Sequence, residues 1–485
     1  MLQVYHSNQV ERLVDQLSAN VEGMRRLMGR RGLFEKAHVV VPNWNLETYL
    51  KFEIAARQGV AAHFQFHTLE KFLASIVPEK VRERVQILDQ TLVHKLIVDL
   101  LLDEAFVERP GLEAVRHYLH APGGDEDAVD RRRFQLGAEL AKLFREYDFS
   151  RKAMLDAWPT GRVVDKDPFQ VAEGWQRELW LEIFGADGVL SRLPSSARKP
   201  VRLTRLLETL KPRDFELPDQ VHLFGFSYMA RSFEEIFYKL GLTEERICIY
   251  ALNPCKEYWE DLETGSDEEE DKIESMREED GLLRPEIDAP ALRLWGRPGR
   301  DYHRMLNRLS DYAQVDLFEE EDSKTLLDAV QRDILTRAPQ RPRAAPDARF
   351  DDESVTFFAC PGIGREVETI ASEIWALMKA DDTLRFNEIA LIVNNANKEA
   401  YQTQIRAVFN DTSRIPHNIV DLAGTAHSRV FEAVELLFTL PFGQFRRREL
   451  LRLMTHPNVL ARSPEIEARQ WMEWCHDLHI VHGAD

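Results

Sequence analysis

The chain has 485 residues, 44% hydrophobic and 30% charged, with a formal net charge of −19. At about 100–200 residues per domain this is material for several cores, and the acidic balance excludes a uniformly electropositive nucleic-acid binder while leaving room for a local basic track. No apolar run reaches the ~18 residues of a membrane span, no signal-peptide pattern opens the chain, and the scattered Cys248, Cys255, Cys360 and Cys475 suit a reducing compartment, so the cytoplasm is the expected location.

Residues 2–5 alternate as a strand, and Val10, Leu13, Val14, Leu17, Val21, Met24 and Leu27 then recur at three and four, the stripe of an amphipathic helix. His38–Val41 and Ala61–Phe66 are further strand-length apolar runs, with a helix through Leu50 and Ile54 between them. Strands alternating with helices imply a parallel sheet. From about Pro78 to Leu210 helical spacing dominates, as in Leu88, Leu92, Leu96, Ile97 and Leu100 and again in Leu136, Leu140, Leu143, Phe144 and Tyr147. Strand patterns return at Val221–Phe224 and Ile247–Tyr250. Glu257 to Asp280 is overwhelmingly acidic and reads as a solvated loop, and Arg337 to Asp352, with Pro339, Pro342 and Pro346, reads as a linker. Strand Ser354–Ala359, helix Arg365–Lys379, strand Ile389–Val393 and a helix around Ala400–Phe409 follow. The expected organisation is a first α/β domain from 1–80 and 211–336, an α-helical insertion over 81–210, a linker over 337–352, a second α/β domain over 353–440, and the truncated start of a further helical insertion over 441–485.

In a two-lobed α/β motor, ATP binds where the first strand feeds the first helix, because glycine backbone, a lysine and a helix N-terminus must all approach phosphate. Here that turn reads His6-Ser7-Asn8-Gln9, without glycine or lysine, and Asn8 with Glu11 suggests a capping box that places a carboxylate where phosphate would sit. The Mg²⁺-holding carboxylate would follow a later strand, yet Val221-His222-Leu223-Phe224-Gly225-Phe226-Ser227 contains none. The Gly362-Ile363-Gly364 turn with Arg365 is either a plain strand-to-helix connection or a phosphate contact. His63 and His67 lack a carboxylate partner and read as structural, Glu146 and Asp148 read as solvated carboxylates at a helix end, and Cys475, His476, His479 and His482 read as one helix face rather than a zinc set.

Trp44 between Asn43 and Asn45 suits strand binding, since an indole stacks a splayed base while amides reach base edges; packing against the next helix is the competing reading. Arg131-Arg132-Arg133 with Lys142, Arg145 and Arg151 is either a solvated helix face or one side of a phosphate track.

An ordered set of short matches resembles the RecC family, the gamma subunit of exodeoxyribonuclease V, over its N-terminal part. It includes Val4-Tyr5-His6-Ser7-Asn8, the run from Gly59 to Phe66, Arg116-His117-Tyr118-Leu119, Phe224-Gly225-Phe226-Ser227, Asn253-Pro254-Cys255 with Tyr258-Trp259, Trp295-Gly296 with Gly299-Arg300-Asp301-Tyr302, Gln331-Arg332-Asp333-Ile334-Leu335 and Arg365-Glu366-Val367-Glu368. The resemblance implies a superfamily 1 helicase-like fold: two RecA-like parallel-sheet domains, the ATP site degenerate, with a large α-helical insertion in the first. It implies a non-catalytic subunit that binds no cofactor itself, ATP and Mg being used by its partners. Those partners are a helicase–nuclease beta subunit and a helicase alpha subunit, RecB- and RecD-like, together with DNA as a duplex end and a 3′-ended strand that is scanned for a Chi-like hotspot. Strand-reading residues are then expected at Asn43, Trp44, Asn45, Thr48, Thr68, Lys142, Leu143, Arg145 and Arg151, and a phosphate contact at Gly362, Gly364 and Arg365. Leu143 and Arg151 keep the family's residue type, whereas Pro42-Asn43-Trp44-Asn45, Thr68, Ala74, Lys142 and Arg145 depart from it, which leaves the hotspot sequence open. The competing functions are a self-sufficient ATP-dependent helicase or nuclease with its sites beyond residue 485, and a protein scaffold without DNA contact.

Overall fold

The computed structural model describes residues 2–121, 126–165, 169–192, 198–243, 246–260, 290–310, 314–320, 324–338, 352–420, 429–442, 446–460 and 468–478. Most of the acidic stretch, most of the proline-rich stretch, and His479 and His482 lie outside the described residues. Two compact units are present, Met1–Val355 and Thr356–Asp485.

The first unit is built on six parallel strands: β1 (Leu2–Ser7), β2 (Ala37–Val40), β3 (Phe64–His67), β6 (Gln220–Phe224), β7 (Arg246–Leu252) and β8 (Gln314–Asp316). Their order across the sheet is β3-β2-β6-β7-β1-β8, so β1 lies between β7 and the edge strand β8. Alternation along each strand feeds two cores, as a sheet covered on both faces requires. Tyr5, Val39, Val41, Phe224, Cys248 and Tyr250 meet helices Val10–Met28 and Trp44–Gln58 on one face. Val4, Val40, Val221, Leu223, Ile247 and Ile249 meet helices Leu69–Ser75, Leu203–Thr209, Arg231–Gly241 and Arg297–Leu309 on the other. This α/β architecture is consistent with a RecA-like fold.

A separate apolar cluster holds the helical segment, in which Gln90–Leu102, Glu126–Ser150 and Gln170–Phe184 pack around Ile97, Phe144, Trp158, Leu179 and Ile183. Its neck is a two-stranded parallel ladder, β4 (Val85–Ile87) with β5 (Lys199–Val201), which joins chain 114 residues apart by register, Val85 opposite Lys199. Neither strand was legible as such, because three residues are too few to show a period of two.

Gly225 connects β6 to the next segment at φ +72, and a Cβ there would run into Leu46 of helix Trp44–Gln58. Gly225→Ala therefore combines a left-handed backbone with a clash against a flexible side chain, and is expected to lose about 1–3 kcal/mol in urea unfolding. A loss under 0.5 kcal/mol would show that Leu46 yields freely.

The second unit departs from expectation. Helix Ile363–Ala380 packs on Lys398–Arg406 and the following π-helical turn Ala407–Thr412 through Val367, Ala371, Ile374, Ile405 and Phe409. The expected strands Ser354–Ala359 and Ile389–Val393 do not form, and no strand occurs among the described residues of this unit. Among the described residues of 353–440 no parallel sheet is formed. Apolar alternation supplies β propensity, but a strand exists only through hydrogen bonds to a neighbour, and here Phe357 (91% exposed) and Ile392 (93% exposed) have no layer over them. No helix among the described residues is long and apolar enough to cross a membrane.

Candidate nucleic-acid interface

In open parallel sheets ligands bind beyond the carboxyl ends of the strands, so the rim after β1, β2 and β3 is where chemistry is expected. After β1 the turn is filled by the tail of β8. Asn8 Nδ2 donates to the Glu319 carbonyl at 2.9 Å, Asn8 Oδ1 accepts from the Glu319 amide at 2.9 Å, and Ser7 Oγ donates to the Leu317 carbonyl at 2.9 Å. The Asn8–Glu11 capping box is corrected by this geometry: the residue preceding helix Val10–Met28 is Gln9, whose amide donates to Ser7 Oγ at 3.0 Å, and the Asn8 side chain is spent on Glu319. The adjoining cleft, about 670 Å³, carries Glu11, Glu319 and Asp328 against Arg332, and Arg12 is ion-paired with Glu319. Triphosphate needs bare amides and cations; it meets carboxylates here, so the residues present do not fit ATP with Mg²⁺.

The rim after β2 and β3 differs. Asn43 caps helix Trp44–Gln58, its Oδ1 accepting from the Leu46 amide at 3.0 Å, and thereby aims the first turn outward. Trp44 is 67% exposed, Asn45 is exposed, and Thr48 is half-buried with its hydroxyl donating to the Trp44 carbonyl at 3.0 Å. The Trp44 ring is thus available for stacking rather than packed away. Thr68, exposed, ends β3 beside β2, where the Val41 amide donates to the His67 carbonyl at 2.9 Å.

An ion pair between Glu70 and Arg145 brings helix Glu126–Ser150 to this rim. Between them opens a cleft of about 470 Å³ whose lining includes Glu70, Lys71, Ala74, Arg145 and Phe149. Arg145 also lies over the Phe149 ring and donates to Gln90 at 3.4 Å, Lys142 is exposed one turn earlier, and Leu143 is half-buried against the helical core. Arg151 sits further along, its guanidinium donating to both oxygens of Asp165 at 3.0 and 2.8 Å and lying over Tyr147. The structure therefore gathers Asn43, Trp44, Asn45, Thr48 and Thr68 on one rim and joins Arg145 to it, while Arg151 is tied to a different loop.

Gly362, Gly364 and Arg365 open helix Ile363–Ala380 in the second unit. Gly362 is extended at φ 175, a conformation open to any residue, and Arg365 is paired with Glu368 at 2.8 Å. Glu366 stands in the first turn, its carboxylate accepting from the Tyr401 hydroxyl at 2.6 Å. A carboxylate at a helix N-terminus competes with phosphate for the same amides.

His67, read as structural, meets His38, Nε2 to Nδ1 at 3.2 Å with stacked rings, and burial lowers the pKa of both imidazoles. One further expectation is corrected. Asp148 is no solvated carboxylate: its side chain is 11% exposed, ion-paired with Arg202, and accepts from the Thr204 hydroxyl at 2.6 Å. Burial raises its pKa, with Arg202 and Thr204 opposing. Its partners sit 54 and 56 residues away, so no local signal marked it. Cys475 and His476 lie on helix Ala468–Asp477, and no group of three metal-ligating residues occurs among the described residues.

Fold and rim together define an α/β protein on a parallel sheet consistent with a RecA-like fold, in which the turn after β1 is filled by the segment following β8. The model of the RecC N-terminal domain matches residues 2–337, and the chain belongs to the RecC family. It is similar to the RecBCD enzyme subunit RecC of Escherichia coli, 27% identical with 100% of this chain and 45% of that protein covered, and to that of Haemophilus influenzae, 23% identical with 95% and 44% covered. The RecBCD enzyme subunit RecC of Mycobacterium tuberculosis is 27% identical over 61% of this chain and 25% of its own length. The chain thus spans less than half the length of the curated relatives it matches.

Proposed function

We propose that this chain is the DNA-guiding, non-catalytic part of an exodeoxyribonuclease V of RecBCD type, a cytoplasmic helicase–nuclease of double-strand break repair and recombination. The observation that carries the reading is the closed turn after β1, where Glu319 and Asn8 occupy the space a motor gives to phosphate. A superfamily 1 helicase-like body without a nucleotide site has no stroke of its own, so ATP and Mg²⁺ act in partner subunits of RecB and RecD type. What this chain contributes is a surface: splitting the duplex end and passing the 3′-ended strand along the β2 and β3 rim, with Trp44 stacking a base, Asn43, Asn45, Thr48 and Thr68 facing its edges and sugar, Lys142, Leu143 and Arg145 forming the opposite wall, and Arg151 lying beyond them. Scanning for a Chi-like hotspot belongs to the same wall. Gly362, Gly364 and Arg365 are a secondary phosphate contact on this reading.

Photocrosslinking of the full chain to a 3′-tailed duplex tests it. Label is expected at or beside Trp44, and Trp44→Ala is expected to weaken single-strand binding by about tenfold, the size of one lost base stack of ~1–3 kcal/mol, with the unfolding midpoint unchanged because the ring is exposed. Label confined to other faces, or equal affinity in the variant, would defeat the reading.

A further inference from the structure

We propose that a polar cavity at the sheet edge, enclosed by β1, β8 and helix Arg297–Leu309, is a binding site for a nitrogen cation, a guanidinium or alkylammonium group. The cavity measures about 190 Å³ and is separate from the β2 and β3 rim. Its walls are β1 and the edge strand β8, the helix and the segment around Trp259, with Trp259 and Phe318 among the lining rings.

The chemistry is that of an acceptor shell. Asn307 Nδ2 is committed to the Glu260 carboxylate, which fixes the amide so that Oδ1 is the free end, and Asn307 Oδ1 has no hydrogen-bond partner. His303 Nδ1 is likewise buried without a partner, its other ring nitrogen being held by the Leu252 backbone, while the His6 ring and the Gln314 side chain face each other as hydrogen-bond partners. His6, His303 and Asn307 are all more than nine-tenths buried, so these atoms cannot turn to bulk solvent. Leaving such atoms unsatisfied is costly, and a group that satisfies an amide oxygen and an imidazole lone pair together must bring more than one hydrogen-bond donor.

Charge selects the sign of that group. Glu257 and Asp316 line the space beside the already engaged Glu260, against Lys256, which is itself paired with Glu320. Burial lowers the His6 pKa against the pull of Asp316 and pushes His303 down to about 3, so at neutral pH neither ring repels a cation and His303 offers a lone pair. Aromatic walls with carboxylates at hand are the surroundings in which a planar guanidinium or an ammonium is held. The same β8 tail that closes the phosphate turn supplies Asp316 and Phe318 here, so an occupant would brace that closure from behind. This inference stands apart from the DNA-guiding reading.

Thermal unfolding of the full chain in agmatine, in an arginine-containing dipeptide, in urea and in potassium chloride of matched concentration tests it. A saturable rise in midpoint is expected with a cationic probe and not with urea, which has similar donors but no charge. Asp316 and Glu257 are exposed, so Asp316→Asn and Glu257→Gln remove charge without emptying the core, and each is expected to weaken the response by about tenfold, as loss of one charge-assisted contact does. Response to agmatine alone marks a free small cation, and response to the dipeptide alone marks a protein side chain. No saturable rise beyond potassium chloride, a rise shared by urea, or one unchanged in both variants would mean a merely hydrated cavity and overturn the proposal.

Discussion

Glu173→Ala is expected to cost about 4 kcal/mol in urea unfolding, since it strands three donors at roughly 1–3 kcal/mol each. The Glu173 side chain is buried on helix Gln170–Phe184 and accepts from the Trp158 indole at 2.8 Å, from the Val164 amide at 2.9 and 3.0 Å, and from the Asp165 amide at 2.6 Å. Burial alone would raise its pKa, but the Asp165 and Val164 amides, the indole and Arg151 outweigh it, and the net shift is downward from 4.5. A carboxyl with a depressed folded pKa stabilises the fold above its unfolded value and yields that stability as pH falls through the folded one. The wild-type unfolding midpoint should therefore fall on acidification below about pH 4.5, and Glu173→Gln should show a shallower decline. Equal slopes in the two proteins would remove Glu173 from the acid response. The loop it pins carries Asp165, so the substitution also takes away the fixed partner of Arg151.

Asp148→Ala is expected to cost about 3 kcal/mol, at the low end for breaking a buried pair because Arg202 keeps some solvent contact at 23% exposure. The Asp148 carboxylate holds Arg202, next to β5 at the neck, and the Thr204 hydroxyl, while the backbone carbonyls of Asp148 and Phe149 accept from the Ser232 hydroxyl at 3.1 and 2.6 Å. This one turn of helix Glu126–Ser150 therefore fastens the helical segment to the sheet and sets where Arg145 meets Glu70. Adding Arg202→Ala to Asp148→Ala should cost less than the two separate losses summed, since the second change removes the charge that the first left unpaired. Strict additivity would show that the pair is not coupled.

Helix Val10–Met28, with Leu13, Val14, Leu17 and Val21 buried, followed directly from spacing, as did the strands at 37–40, 220–224 and 246–252. Hydrophobic period is a local property, and burial on both faces of a parallel sheet writes it strongly. Glu146 and Asp148 show the limit. They are two residues apart and equally charged, yet one is exposed and the other is locked to Arg202, because what surrounds a helix face is decided by chain 54 residues away.

The turn after β1 carries neither the glycines nor the lysine of a nucleotide-binding loop, and that much is carried by residue type. What fills that turn was not legible, since β8 is three residues long and reaches Asn8 from 311 positions along the chain. Residue identities thus settled the longer strands and helices of the first unit's sheet. Only the folded chain settled which polar groups face one another, and it formed no strand at Ser354–Ala359 or Ile389–Val393 despite their apolar pattern, because a strand's hydrogen bonds belong to two segments at once.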